Sequence, residues 1–324
     1  MDNDCAIYVD AGTTNTRVWL MRGAEILARA NTMVGVRDSA RDGSTEKLYT
    51  ALRELIIEVR AQTDAIPSCV IAAGMITSAL GLADVPHLAA PAGITELAAA
   101  TKTYHFPAVT ELPVLLVPGI RSGAATCDFN SVSDVDIMRG EETLCAGLVK
   151  LGLATLPCTV LNLGSHWKAI QIDEHGRVTA SLTTITGELI HTTQTNTILA
   201  SAVPHEKPVS IDQAWAQAGM CEQRKSGLAR ALFCVRLLEQ KGNCTPEQRL
   251  AFLLGAFIAA DFDGLKNHGI VAAGKSVLIT GGGALAESWG KFLAQETIAA
   301  RLISNAEVES ALLAGLRSIL ATIS

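Results

Sequence analysis

Residues 8–20 read YVDAGTTNTRVWL, and residues 160–172 read VLNLGSHWKAIQI. Both stretches run from an apolar strand into a glycine turn with a hydroxyl beside the glycine, and then into an alternating strand. Each continues through a polar turn into a third strand. Two unrelated turns have little reason to match so closely, so the repeat predicts two similar lobes. Each lobe would offer backbone N–H groups to the phosphates of one ligand, which makes ATP chemistry the first hypothesis.

Composition limits the class of protein. The chain has 324 residues, enough for two domains, and 49% of them are hydrophobic against 18% charged, as in a compact globular protein. Aromatic residues make up only 4% and the net charge is −6, which disfavours a nucleic-acid partner. No apolar run approaches the length of about 20 residues that a membrane helix needs. We therefore expect neither nucleic acid nor membrane as a partner.

The cysteines and the start of the chain bear on the compartment. The eight cysteines show no Cys-x-x-Cys spacing and no Cys/His cluster at metal-ligand spacing, so buried thiols are favoured over disulfides or a zinc site. The acidic residues 1–4 lead directly into a strand and do not resemble a signal peptide. We expect a cytoplasmic protein, and the sequence leaves a homodimer open.

Hydrophobic periodicity predicts an α/β fold. Residues 5–32 alternate as three antiparallel strands, and 44–62 form an amphipathic helix. Continuous apolar runs at 69–73 and 114–117 suit strands that are buried on both faces. A helical block covers roughly 188–268. The polar segment 120–136 suggests a boundary, which gives an N-terminal lobe at 1–133, a C-terminal lobe at 134–306, and a terminal helix, 307–324, that packs back on the first lobe.

The first glycine turn is a candidate phosphate site. Its candidate ligand contacts are Gly12, Thr13, Thr14, Asn15 and Arg17. Asp10, at the strand end, suits water-mediated binding of Mg²⁺. An ordinary polar hairpin turn is an equally good interpretation of this motif taken alone. It is not a Walker loop, since no Gly-Lys-Ser/Thr follows.

The second turn and a later glycine run are further candidates. Gly164 and Ser165 match the first turn, with Asn162 where that turn has Asp10, while His166 and Lys168 are candidates for substrate or phosphate contact. Gly281, Gly282 and Gly283 separate a strand from a helix and could hold the adenosine end of a nucleotide. A plain loop is the competing interpretation of the three glycines.

Residues 138–143, MRGEET, open a helix with two carboxylates. Acids in a first turn usually stabilise the helix dipole. The functional alternative is that Glu141 or Glu142 is the base for a substrate hydroxyl and that Arg139 binds an anionic group. Gly74 and Met75, directly after the apolar run 69–73, are further candidates for a substrate loop.

Taken together, these segments resemble the sugar kinase, actin and heat-shock ATPase superfamily, whose two ribonuclease-H-like lobes bind ATP in a cleft between them. Within it the chain resembles the 2-dehydro-3-deoxygalactonokinase family. The resemblance is carried by residues 10–19, 73–75, 117–119, MRGEET at 138–143, GSHWK at 164–168, TGEL at 186–189 and AGLRSI at 314–319.

The resemblance implies ATP- and Mg²⁺-dependent phosphorylation of the C6 hydroxyl of 2-dehydro-3-deoxy-D-galactonate, in galactonate catabolism. It makes Asp10, Glu141 and Glu142 the candidate catalytic residues, with Glu141 favoured as base, and Arg139 the partner of the sugar-acid carboxylate. Departures occur at Ala11, at 162–164, at 167–169 and in the segments 76–82 and 93–112. They leave open a kinase for another sugar acid or an amino sugar, or an inactive nucleotide-binding regulator.

Overall fold

A computed structural model describes residues 5–272 and 274–323; the acidic start at 1–4 lies outside the described residues. The strands are, in chain order, β1 Cys5–Ala11, β2 Thr16–Arg22, β3 Glu25–Thr32, β4 Val70–Gly74, β5 Leu88–Ala89, β6 Lys102–Phe106, β7 Thr110–Leu116, β8 Ile120–Ser122, β9 Asp136–Met138, β10 Cys158–Leu163, β11 Trp167–Ile172, β12 Val178–Thr184, β13 Ser276–Thr280 and β14 Ala300–Leu302.

Helices fill most of the remaining chain and are concentrated in its second half. They are α1 Val36–Asp42, α2 Glu46–Ala61, α3 Ile94–Ala100, α4 Glu141–Lys150, α5 Thr186–Asn196, α6 Gln213–Ser226, α7 Leu228–Lys241, α8 Pro246–Asn267, α9 Gly283–Gln295 and α10 Asn305–Ile323. The amphipathic helix, the helical block and the terminal helix that the sequence predicts are all present.

The first compact unit comprises residues 1–155, 173–180 and 308–324. Its main sheet has the order β3-β2-β1-β4-β7-β6, in which β1 pairs antiparallel with β2 and parallel with β4. A small sheet, β5-β8-β9, lies in the same unit. One face of α2 is buried through Leu52, Leu55 and Val59, which join the core under β1 and β4. The predicted apolar stripe of this helix is therefore its core face.

The second unit comprises residues 156–172 and 181–307. Its sheet has the order β12-β11-β10-β13-β14, in which β10 pairs antiparallel with β11 and parallel with β13. This order repeats the series β3-β2-β1-β4 of the first unit, strand for strand. The predicted α/β class and the predicted duplication are confirmed by this repeated topology.

The compact units do not follow the proposed lobe boundary at residue 133. Residues 134–155, with β9 and α4, belong to the first unit, and so does the terminal segment from Val308. The reason is that α4 and α10 touch through glycines: a Cβ on Gly315 would lie 2.1 Å from the carbonyl oxygen of Thr143. The division into lobes at 133 stays a prediction.

Within residues 5–272 and 274–323, no helix combines the length and apolarity needed to cross a membrane.

Candidate active site

The first glycine turn joins β1 to β2 through residues 12–15. It is closed by the N–H of Gly12, which donates to the carbonyl of Asn15 at 2.9 Å. The carbonyls of Gly12 and Thr13 accept from the N–H groups of Val36 and Arg37 at 3.2 and 2.9 Å. Since a trans peptide directs its C=O and N–H oppositely, the N–H groups of residues 13 and 14 point away from α1. These two N–H groups are therefore the candidate donors to a phosphate in this turn.

Asp10 lies at the end of β1 and forms an ion pair with Arg17 of β2. The Arg17 Nη2 and Nε atoms donate to Asp10 Oδ2 at 2.6 and 3.1 Å. The Arg17 guanidinium also lies over the Trp19 ring, at 5.4 Å from its centroid. Trp19 in turn donates its Nε1–H to Glu309 of α10 at 2.7 Å. The Asp10 carboxylate is therefore held by the Arg17 guanidinium, which in turn lies against the Trp19 ring.

Two glycines bring Asp10 close to the start of α4. Gly74, at the end of β4, has a φ of +90°, and a Cβ there would lie 2.6 Å from the carbonyl oxygen of Ala11 and 3.3 Å from Asp10 Oδ1. A Cβ on Gly140, whose φ is +109°, would lie 3.2 Å from the Cα of Gly74. Only glycine permits this approach of three backbone segments. The candidate phosphate, metal and base residues of the first unit thus converge.

The two carboxylates of α4 occupy different environments. Glu142 is 1% exposed, and both of its oxygens accept from the N–H of Gly140 at 2.8 Å. The Thr143 hydroxyl donates to the same carboxylate at 3.2 Å. Glu141, by contrast, is only partly buried. Glu142 therefore stabilises the start of the helix, while Glu141 keeps part of its side chain accessible although its Oε2 is buried.

Arg139 immediately precedes this helix and is 8% exposed in its side chain. Its Nη1 donates to the carbonyl and the hydroxyl of Thr77 at 2.7 and 3.0 Å. Its Nη2 makes two longer contacts, 3.4 Å to Asp84 and 3.5 Å to His87 Nδ1. Burial lowers the pKa of Arg139, and the charges of Asp84 and Glu142 act in the opposite direction. Met75, the other candidate on this loop, starts a short 3-10 turn that ends at Thr77.

The second glycine turn joins β10 to β11. Asn162, in the place of Asp10, accepts from the hydroxyl of Thr280 at 2.9 Å. Lys168 lies opposite Asn162 in the strand register and is 5% exposed. His166 Nε2 lies 3.1 Å from a carboxylate oxygen of Glu188, whose N–H donates to the carbonyl of Ser165 at 2.9 Å. The start of α5 therefore contacts this turn directly.

The triple glycine connects β13 to α9 through three positive φ angles, +107°, +58° and +73° for Gly281, Gly282 and Gly283. A Cβ on Gly281 would lie 2.4 Å from the carbonyl oxygen of Leu163, so the glycine run packs against the end of β10. A Cβ on Gly282 would lie 2.8 Å from Asn305 Oδ1. Beside the run is a cavity of about 260 Å³, lined by Gly282, Gly283, Ala286, Glu287, Leu302, Ile303, Ser304, Asn305 and Glu307.

The predicted site residues fall into two groups. The first unit contains Asp10, Gly12, Thr13, Thr14, Asn15, Arg17, Gly74, Met75, Arg139, Glu141 and Glu142, and the second contains Gly164, Ser165, His166, Lys168, Gly281, Gly282 and Gly283. Sequence reasoning missed Thr77 and Asp84, which contact Arg139, and Asn305, which lies beside Gly282. It also missed Asp261, which accepts from the hydroxyls of Thr184 and Thr186. One sequence signal was available for Asp261, since it is the single acid in the apolar run 250–262.

Comparison with known proteins gives a family and a fold. The family model described as 2-keto-3-deoxy-galactonokinase matches residues 10–319. The Escherichia coli (strain K12) 2-dehydro-3-deoxygalactonokinase is 26% identical over 263 residues, 81% of this chain and 80% of its own. A Rhizobium meliloti (strain 1021) relative, named as probable 2-dehydro-3-deoxygalactonokinase DgoK1, is 27% identical over 318 residues, which is 96% of each chain.

Two solved structures share the α/β fold of this chain. A crystal structure of a Sinorhizobium meliloti protein, provisionally given the same kinase name, superposes with a TM-score of 0.77 at 22% identity and covers 98% of this chain and 96% of its own. The activator of 2-hydroxyisocaproyl-CoA dehydratase from Clostridium difficile, solved with ADPNP bound, gives a TM-score of 0.53 at 13% identity, covering 98% and 95%. At these identities the likeness concerns the fold.

Proposed function

Because this chain belongs to the 2-keto-3-deoxy-galactonokinase family, we propose that it transfers the γ-phosphoryl group of ATP to the C6 hydroxyl of 2-dehydro-3-deoxy-D-galactonate. It is an ATP-dependent kinase, a phosphotransferase with an alcohol group as acceptor, in galactonate catabolism. The curated relatives are named for the same substrate, which supports the choice of sugar acid. A cytoplasmic location, where ATP is supplied, is part of the proposal.

The observation that carries the proposal is the meeting of Asp10, Gly74 and the start of α4. Phosphoryl transfer needs little covalent chemistry from the protein and depends on positioning and on electrostatic stabilisation. A partly exposed carboxylate, Glu141, beside a candidate phosphate turn supplies the base that accepts the proton of the C6 hydroxyl. Glu142 holds the N–H of Gly140 and thereby keeps Glu141 at the first position of the helix.

Arg139 is proposed to bind the carboxylate of the sugar acid. Its Nη1 is held by short bonds to Thr77, which fix the plane of the guanidinium. Its Nη2 has only the longer contacts to Asp84 and His87, and a substrate carboxylate can replace them with a shorter, charge-assisted bond. Gly74, Met75, His166 and Lys168 stay predicted substrate contacts.

A magnesium ion fits the first unit through one carboxylate. Among the described residues, no three His, Cys, Asp or Glu side chains are grouped as a metal site. Mg²⁺ in kinases commonly takes one or two carboxylates, with water and phosphate oxygens completing its octahedron, so Asp10 would suffice. Its Oδ2 is engaged by Arg17, which leaves Oδ1, on the side of Gly74, as the proposed ligand. When bound, the ion would neutralise charge on the phosphates.

The nucleotide contacts are proposed by unit. The N–H groups of Thr13 and Thr14, together with Asn15 and Arg17, would bind phosphate in the first unit, since the N–H of Gly12 is bonded to the carbonyl of Asn15. Gly164 and Ser165 would bind phosphate in the second unit. The adenosine end would enter the cavity beside Gly282 and Gly283, where Asn305 and Glu287 offer polar atoms at the wall. Polar groups at the wall of a cavity can fix the orientation of a small ligand.

The test is a coupled assay of ADP release with a panel of sugar acids and amino sugars, including 2-dehydro-3-deoxy-D-galactonate and its C4 epimer. We expect the highest kcat/KM with the galactonate derivative and a product whose phosphorus NMR spectrum shows a phosphomonoester at C6. Turnover of a different compound alone would refute the proposed substrate. Binding of ATP without turnover of any member would favour the nucleotide-binding regulator.

A further inference from the structure

A half-buried carboxylate from α8 holds the start of α5. Asp261 Oδ2 accepts from the hydroxyl of Thr184, at the end of β12, at 2.8 Å, and Asp261 Oδ1 accepts from the hydroxyl of Thr186 at 2.7 Å. The two hydroxyl oxygens are 2.9 Å apart. These three side chains form one closed cluster, which we call the Asp261 cluster, and all of them lie in the second unit.

The segment held by this cluster touches the second glycine turn with its backbone. A Cβ on Gly187 would lie 2.3 Å from the carbonyl oxygen of Gly164 and 2.5 Å from that of Ser165. The N–H of Glu188 donates to the carbonyl of Ser165 at 2.9 Å. Because a trans peptide is planar, fixing these carbonyls also fixes the direction of the N–H groups of Ser165 and His166. The turn is thus oriented by the first turn of α5.

The carboxylate is costly where it is placed. Burial raises the pKa of Asp261, and the hydrogen bonds from Thr186 and Thr184 oppose that change. Asp261 lies at the edge of the buried face of α8, between half-buried Ala260 and buried Phe262, so part of its charge is desolvated. What the structure shows for this acid is that it orients both threonines, since each hydroxyl donates to one of its oxygens.

We propose that Asp261 is a positioning residue for the triphosphate of the nucleotide. Through Thr184 and Thr186 it fixes the first turn of α5, and that turn fixes the peptide planes at Gly164 and Ser165. The residue contacts no substrate in this role and acts through the glycine turn alone. The inference rests on the proposed function in one respect, namely that the second glycine turn binds phosphate.

The test measures nucleotide affinity without the sugar acid. Calorimetry with Mg²⁺ and the non-hydrolysable β,γ-imido analogue of ATP is compared between the wild-type chain and Asp261→Ala. We expect an affinity about tenfold lower in the variant, with the KM for ATP raised in parallel and the KM for the sugar acid unchanged. Asp263→Ala is the matched control, because Asp263 lies two residues further along α8 and is partly exposed beside Arg224 at 3.7 Å. It should keep the wild-type affinity.

Conservative variants separate positioning from general loss of stability. Asn at position 261 can accept from one threonine and donate to the other, so Asp261→Asn should keep an affinity close to that of the wild type. Thr186→Val removes the hydroxyl at nearly constant volume and should lower the affinity for the nucleotide. Thr186→Ser retains the hydroxyl and should keep the affinity of the wild type. If Asp261→Ala does not fold, this second pair decides the question.

Several results would overturn the inference. They are wild-type affinity in Asp261→Ala or in Thr186→Val, an equal loss in Asp263→Ala, and a loss in Asp261→Asn as large as in Asp261→Ala. Failure of the proposed substrate is distinguishable, because a chain that binds the analogue but phosphorylates no sugar acid still tests the Asp261 cluster. A wild-type chain that binds no nucleotide would overturn both.

Discussion

Two adjacent carboxylates, Glu141 and Glu142, have the same chemistry and different surroundings. Both stand in the first turn of α4, where an acid is favoured by the helix dipole. Only Glu142 is buried and bonded through both oxygens to the N–H of Gly140. A proton acceptor must be reachable by the substrate hydroxyl, so we propose a structural role for Glu142 and the role of base for Glu141.

These two roles predict that a Glu→Gln substitution lowers mainly kcat at position 141 and mainly the free energy of unfolding at position 142. Glu141→Gln should lower kcat by about 10²–10⁴-fold with little change in KM, because the amide keeps the shape of the side chain and cannot accept the proton. Glu142→Gln should lower the free energy of unfolding by about 1 kcal/mol, because it weakens a charged contact at the helix start. Steady-state kinetics and urea unfolding of both variants check this. A large loss of kcat confined to Glu142→Gln would place the base one residue further on.

At the scale of elements, the site depends on how closely β1, β4 and α4 approach one another. Gly74 makes this approach possible in two ways. Its φ is positive, and its Cα lies only 3.2 Å from the position that a Cβ on Gly140 would take. A methyl group at position 74 would overlap the carbonyl of Ala11 and press on the carboxylate of Asp10. The close approach of β1, β4 and α4 therefore depends on the absence of a side chain at position 74.

Gly74→Ala should lower the free energy of unfolding by about 3 kcal/mol, the sum of left-handed strain and steric overlap, and should also lower kcat. Gly23→Ala is the control, since Gly23 has a φ of +57° and nothing lies within 4 Å of the place that its Cβ would take. It should cost about 1 kcal/mol, from backbone strain alone, and leave kcat unchanged. Urea unfolding and steady-state kinetics give both quantities. An equal loss in the free energy of unfolding for the two variants would contradict the close approach of Gly74 to Ala11 and Gly140.

At the scale of the whole molecule, the end of the chain supports the candidate base. Gly315 of α10 allows contact with the carbonyl of Thr143 in α4, and Gly147 of α4 would place a Cβ 1.6 Å from the carbonyl of Ala311. Glu309 of the same terminal helix accepts from Trp19 of β2. The terminal helix therefore packs on both α4 and the strand that carries Arg17.

Gly315→Ala should lower the free energy of unfolding by about 2 kcal/mol, although alanine favours a helix, because its methyl group would displace α4. The displacement should also reduce kcat, since Glu141 begins that helix. Gly264→Ala in α8 is the matched control: nothing lies within 4 Å of its Cβ position, so it should stabilise by about 0.5–1 kcal/mol. Thermal and urea unfolding measure the difference. A stabilised Gly315→Ala would contradict the packing of α10 on α4.

Sequence patterns predicted much of the fold because they depend on local spacing. The alternation in residues 5–32 predicted β1, β2 and β3, and the stripe Leu48, Leu52, Leu55 predicted the buried face of α2. The assignment of residues 134–155 to a compact unit was not predictable from spacing, because it depends on contacts with α10 at the far end of the chain. The partners of Arg139 and the Asp261 cluster were missed for the same reason.

By itself, then, the sequence determined the two glycine turns, their strands, the kinase family and the residue types at the site. These follow from periodicity, from the conformational freedom of glycine and from motif order, all of which are properties of neighbouring residues. The tertiary structure alone decided that Gly74 joins Asp10 to the start of α4, that Glu142 is buried while Glu141 is partly exposed, and that Asp261 holds α5. These features depend on which segments that are distant in the sequence pack against one another. Packing of the interior determines this, and local conformational preference does not.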